Sequence, residues 1–191
     1  MGGSCTGKTT VSRRLAAAVG VPHVELDALH HDPGWQEAPA DVFQARVRSA
    51  LDAAADGWVV DGNYRSKLGS LVLERADTAV FLDPPFLRTL GRALRRTVRR
   101  TITREELWNG NTERIRHLLR RDWIPFWVIR THRHYAREIP ARVAAQPHLA
   151  LVRVRSDAEV DAFVQSIQAM ESMSGSSNGS ERQKTPPFVE T

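Results

Sequence analysis

An α/β fold, with a parallel sheet covered by helices on both faces, is predicted by three observations. Short Val/Leu-rich runs recur between helix-like segments, as buried parallel strands do. Those runs stop at Asp or at Pro-containing turns, which break a strand. The chain also opens MGGSCTGKTT, so Gly2 to Thr9 fit G-x-x-x-x-G-K-[ST] directly before a helical run. The 191 residues suit one domain, and 41% hydrophobic with 26% charged content is ordinary for a globular chain.

Taken in order, Thr9 to Val19 is rich in helix formers and closes at Gly20, a C-terminal cap. HVEL is a short strand ending at Asp27, and HHDPGWQEAP is turn-rich. Pro39 favours a helix start near Ala40, and Val42, Phe43, Val47 and Leu51 follow at helical spacing. WVV is a buried strand ending at Asp61, and DGNYR a loop. A short helix is expected from Leu68 to Arg75, then a strand, TAVFLD, at Thr78 to Asp83. Pro84-Pro85 stop it, and a basic helix runs from Phe86 to about Arg100. Glu105 to Arg121 and Ile124 to Val143 read as helical, LALVRV (Leu149 to Val154) as a strand, and Asp157 to Met170 as a helix. Residues 1–171 form the domain. Residues 172–191, polar and Gly/Ser-rich, are expected to be a disordered tail.

The glycines Gly2, Gly3 and Gly7 permit a loop that turns backbone N–H groups inward around phosphate oxygens. The segment Gly2, Gly3, Ser4, Cys5, Thr6, Gly7, Lys8, Thr9 and Thr10 is thus a candidate cradle for the ATP phosphates, with the helix N-terminus behind it. In this chemistry Lys8 reaches the β- and γ-phosphates and the Thr9 hydroxyl ligates Mg²⁺.

Net charge is +5, carried by 24 Arg against 3 Lys, and 15 of the arginines lie between Arg88 and Arg142. Either solvated helix faces absorb this charge, or a surface holds polyanions. Arg92 and Arg96 share one helical face and are candidates for the base or phosphates of ATP, a solvated face being the competing reading. Asp27 ends a strand at the ligand crevice, and Trp35 either stacks on a base or covers the core. His30 and His31 are adjacent and point apart, which argues against zinc. Cys5 is the single cysteine, so no internal disulfide forms and a reducing cytoplasm is the expected setting. No apolar run approaches the roughly 20 residues that cross a bilayer.

GWVVDGNYR resembles the strand-end element of adenylate kinase-like nucleoside monophosphate kinases, an apolar strand followed by D-G-x-x-R. The resemblance implies that Asp61 binds Mg²⁺ through water and that Arg65 grips the acceptor's phosphate. FLDPP followed by LRTLGRALRR resembles the same family's strand, proline turn and arginine helix. A lid near 101–123 is then implied, with Gly110 as hinge and Arg114, Arg120 and Arg121 as candidates to close over the transferring group; Arg120 is taken as catalytic. LDALHHDPGW and LRRDWIPFWVIRTHRH make the chain most similar to the adenylate kinase-related group called DNA topology modulation proteins, from Gly2 to about Val154. The implied fold is a three-layer P-loop NTPase fold with an Arg-rich helical lid. DGNYR carries Asn-Tyr where those kinases commonly have Phe-Pro, which leaves the acceptor open.

The expected activity is transfer of the ATP γ-phosphoryl to a small phosphate-bearing acceptor, a nucleoside monophosphate first. Rivals are a kinase of a non-nucleotide metabolite and an ATP-responsive nucleic-acid-binding protein, the latter ranked last because no reading motif accompanies the arginines. One feature conflicts with this fold. The central strand that feeds the phosphate loop is missing ahead of Met1, so a misassigned start or a truncation is expected.

Overall fold

A computed structural model describes residues 1–3, 5–103, 109, 124–177 and 188–190. Five strands form one parallel sheet: β1 (His23–Glu25), β4 (Val59–Asp61), β5 (Thr78–Leu82), β6 (Ala150–Val154) and β7 (Phe188–Glu190). Their spatial order is β1-β4-β7-β5-β6, and β2 (His31–Asp32) with β3 (Gln36–Glu37) makes a separate antiparallel pair. The helices are α1 (Lys8–Val19), α2 (Leu26–His30), α3 (Ala40–Ala53), α4 (Arg65–Leu68), α5 (Phe86–Thr103), α6 (Ile124–Ala144) and α7 (Asp157–Ser177).

Alternation along the strands sorts the core into two layers. Val60, Ala79 and Phe81 pack with Phe43, Val47 and Leu51 of α3 and with Ile139 and Val143 of α6. Val59, Val80, Leu82 and Val154 point the other way, onto Val11, Leu15 and Val19 of α1 and Val160, Val164 and Ile167 of α7. Helices therefore cover both faces of the sheet. Leu15, Phe43, Val47, Val59, Val60 and Val80 are fully buried.

Several elements differ from expectation. The strand HVEL stops at Glu25 and Asp27 lies in α2, because Leu26 and His30 are both buried and one helical turn puts residues four apart on one face. The expected helix at Leu68 to Arg75 is replaced by α4 and a 3-10 turn at Leu73–Arg75. Within the turn-rich segment, β2 and β3 close a short hairpin.

The expected tail at 172–191 differs at residues 172–177 and 188–190, while 178–187 and 191 lie outside the described residues. α7 continues through Ser177, and Phe188–Glu190 is a strand in the middle of the sheet rather than part of a disordered tail. The central position expected to lack its strand is thus filled by β7, whose backbone pairs with β4 and β5. At the start of α7, the Ser156 hydroxyl accepts the Glu159 amide at 3.2 Å while Glu159 accepts the Arg155 amide at 3.0 Å, which fixes the strand-to-helix turn beside the glycine-containing loop ahead of α1.

Candidate functional site

The loop ahead of α1 curls on itself through its own side chains. The Thr6 hydroxyl donates to the Gly3 carbonyl at 2.9 Å. Lys8 reaches back over the loop, its Nζ donating to the carbonyls of Gly2 at 3.1 Å and Gly3 at 2.9 Å. Gly7 enters the helix at φ 102°, a conformation side chains resist, and a Cβ there would stand 3.4 Å from the Arg92 guanidinium. α1 has no side-chain cap and no acid in its first turn, so its N-terminal N–H groups retain their partial positive charge. Ser4 lies outside the described residues; Thr10 is exposed on α1.

β4 delivers Asp61 to this loop from across the sequence. Its carboxylate is almost fully buried and accepts the Thr9 hydroxyl at 2.5 Å. Burial pushes the Asp61 carboxyl above its ordinary value, with Asp27 acting in the same direction and the Thr9 hydroxyl and Lys8 ammonium opposing. Gly62 makes this position possible: at φ 141°, a Cβ would fall 2.6 Å from the Leu26 Cβ, so only glycine lets the chain leave the strand here. A hydroxyl and a buried carboxylate in contact are an oxygen donor set that fits Mg²⁺, a cation that keeps several of its waters. Among the described residues, no group of three His, Cys, Asp or Glu side chains could hold a metal.

The two arginines expected on the helix after β5 both reach the loop. Arg92 Nη1 donates to the Thr6 carbonyl at 3.1 Å, while Nη2 spans both oxygens of Asp157 at 2.7 and 2.8 Å. These hydrogen bonds hold the Asp157 carboxyl below its ordinary value. Arg96 Nη1 lies 3.8 Å from the Cys5 sulfur, and its Nε is buried without a hydrogen-bond partner. A buried orphan donor beside a glycine loop is what an anion would satisfy. A cleft of about 350 Å³ opens alongside, lined by Thr6, Gly7, Thr10, Arg92, Arg155 and Asp157 among others.

Arg65 sits apart from these groups. It begins α4 and its Nη1 donates to Glu138 of α6 at 2.5 Å; the other Glu138 oxygen lies 2.9 Å from His134 Nε2. Nothing local to DGNYR announces Glu138, since the partner arrives on a helix more than 70 residues later. Arg120, Arg114, Arg121 and most of the lid at 101–123 lie outside the described residues.

On the β1 side the sequence offers Asp27, Trp35, His30 and His31, and the structure adds Tyr64. The Tyr64 hydroxyl donates to Asp27 at 2.5 Å and lies 3.3 Å from His31 Nε2. Burial raises the Tyr64 hydroxyl far above its usual value, with Asp27 adding to the shift, so it stays a proton donor. The His30 ring packs against Tyr64 and Phe43, and burial lowers its basicity. Trp35 meets His31 edge-on at 5.4 Å and remains partly exposed. Tyr135 of α6 closes the opposite side of the loop, 3.4 Å from where a Gly3 Cβ would stand. No protein-family model matches this chain, and no curated protein matches it.

Proposed function

We propose that the protein is a P-loop phosphotransferase that binds ATP with Mg²⁺ and moves the γ-phosphoryl group to a small phosphate-bearing acceptor, a nucleoside monophosphate in the first instance. The observation that carries this reading is the meeting of Lys8, Thr9 and Asp61, with the Thr9 hydroxyl 2.5 Å from a buried carboxylate. The Thr9 hydroxyl and, through water, the Asp61 carboxylate would hold magnesium, which would supply charge neutralisation at the phosphates. Lys8 and the α1 N-terminus hold the donor's phosphate oxygens, and Arg92 and Arg96 add positive charge on the cleft side. Phosphoryl transfer asks mainly for positioning and electrostatic stabilisation, which this arrangement offers without a nucleophilic side chain. Arg65 takes the acceptor's phosphate by exchanging Glu138 for it.

A second reading is favoured by one specific feature. Asp61 ends β4 and Asp27 lies in α2, just past the end of the neighbouring strand β1, and the Tyr64 hydroxyl is fixed on Asp27. A hydroxyl-bearing metabolite would find an acceptor carboxylate and a donor there, making the protein a metabolite kinase with the same ATP site. Coupled ATP-consumption assays against nucleoside monophosphates and against hydroxylated metabolites distinguish the two. Turnover with a monophosphate, lost in Lys8→Ala, supports the first; turnover only with a non-phosphorylated alcohol replaces it with the second.

A further inference from the structure

One carboxylate on α6 gathers three basic side chains. Glu138 Oε1 accepts Arg65 Nη1 of α4 at 2.5 Å, and Oε2 lies 2.9 Å from His134 Nε2, one turn earlier on α6. Arg142 stands four residues further along the same helix and so shares that face. Burial makes the Arg142 guanidinium easier to deprotonate; Glu138 opposes that shift and Arg65 adds to it, so the three charges feel one another. Two guanidiniums face one carboxylate, which leaves a unit of positive charge even with His134 neutral.

Placement in the fold separates this group from an ordinary surface ion pair. Arg65 lies just past Asp61, at the exit from β4. Tyr135, on the same face of α6 as Glu138, has a ring carbon 3.4 Å from where a Gly3 Cβ would stand. One helical turn, about 5 Å of rise, therefore separates Glu138 from the residue that abuts the glycine loop. Exposure runs in the order an entering ligand needs. The Glu138 side chain is 19% exposed, while those of Arg65 and His134 are 60% and 68% exposed. The basic groups are open to solvent and the acid lies beneath them. A phosphate monoester offers what Glu138 offers, anionic oxygens for a guanidinium fork, with more charge and one more oxygen.

We propose that Arg65, His134 and Arg142 form a phosphomonoester site in which Glu138 is a built-in competitor, its carboxylate holding Arg65 until a ligand's phosphate displaces it. Only molecules with Arg65 released accept the ligand, so Glu138 raises the apparent dissociation constant by the inverse of that fraction. That the ligand is the acceptor of a phosphoryl group rests on the kinase reading above; the site and its competitor do not.

Inorganic phosphate titrated into the ¹⁵N-labelled full chain, without nucleotide, tests this. The amide signals of His134 and Arg142 report this site, and those of Gly3 and Gly7 report the loop separately. Glu138→Gln keeps the size of the side chain and removes its charge. It should bind phosphate about 5-fold more tightly than wild type at His134 and Arg142. In an Arg65→Ala background the same substitution should give no gain, because the contact it relieves is already gone. Equal affinity in wild type and Glu138→Gln, or no response at these amides in either, overturns the proposal. An equal gain without Arg65 also overturns it, since a carboxylate that merely repels the anion needs no contact. A wild-type chain that transfers no phosphoryl group from ATP refutes the kinase reading and leaves this titration to decide the site.

Discussion

Asp61 carries two opposed demands at the scale of single residues. It is buried, which favours its neutral form, and it faces Thr9 and Lys8, which favour the charged form that a metal would need. Burial dominates, so the folded carboxyl titrates above its unfolded value. The consequence for stability has a definite sign: the unfolded chain loses its proton first, so stability falls as pH rises from the unfolded value through the folded one. Asp61→Asn removes that penalty while keeping an oxygen to accept the Thr9 hydroxyl. Thermal melts should place this variant about 2–4 °C above wild type at pH 7, a typical functional-site gain for a chain of this size. Near pH 4 the difference should shrink, and magnesium-dependent ATP binding should be lost. A lower melting temperature at pH 7 contradicts the assignment. Lys8→Ala is expected to leave far-UV circular dichroism unchanged and to weaken ATP binding by at least about 10-fold. Much of this site was legible from spacing: Gly2 to Thr9 and Asp61 are short motifs in which chemistry and sequence are adjacent. Glu138, Tyr135 and Asp157 were not, because each is brought by a distant helix whose own sequence says only that it is amphipathic.

Elements succeed or fail as predictions for reasons that differ between them. α1, α3, β4 and β5 were readable because their apolar periods agree with what they bury. α2 was hidden, since five residues hold too little pattern to separate a helical turn from a strand end. β7 was hidden more deeply. Three residues after a polar, glycine-rich stretch carry no periodicity, and their partners are fixed only when the sheet is assembled. α7 matters to the site through its first residue. Asp157 orients Arg92 against the Thr6 carbonyl, and the pair is exposed enough that its direct stability contribution is under about 1 kcal/mol. Asp157→Ala should therefore leave the melting temperature nearly unchanged yet raise the KM for ATP several-fold with kcat retained. Unchanged KM would show that Arg92 needs no such support.

Across the whole molecule, the proposed function gathers small anionic ligands at one edge of the sheet. The end of β4 and the first turn of α2 after β1 bring Asp61 and Asp27 to the same edge as the loop, the arrangement in which open α/β sheets bind ligands. No helix among the described residues is long and apolar enough to cross a membrane. The excess of arginine over acid also allows contact with nucleic acid, and salt dependence separates this from small-phosphate binding. Duplex DNA affinity should be weak, with a shallow dependence on salt; a steep loss of tight binding with added salt would instead mark counterion release from many phosphate contacts. The proposed function centres on phosphoryl transfer from ATP. Its most direct measurement is product formation from ATP, Mg²⁺ and a panel of nucleoside monophosphates, followed by separation of the nucleotides, with wild type and Lys8→Ala run side by side. The account predicts a diphosphate of one acceptor formed in step with ADP by wild type and absent with Lys8→Ala. Equal product from both proteins, or none from wild type with any acceptor, would contradict it.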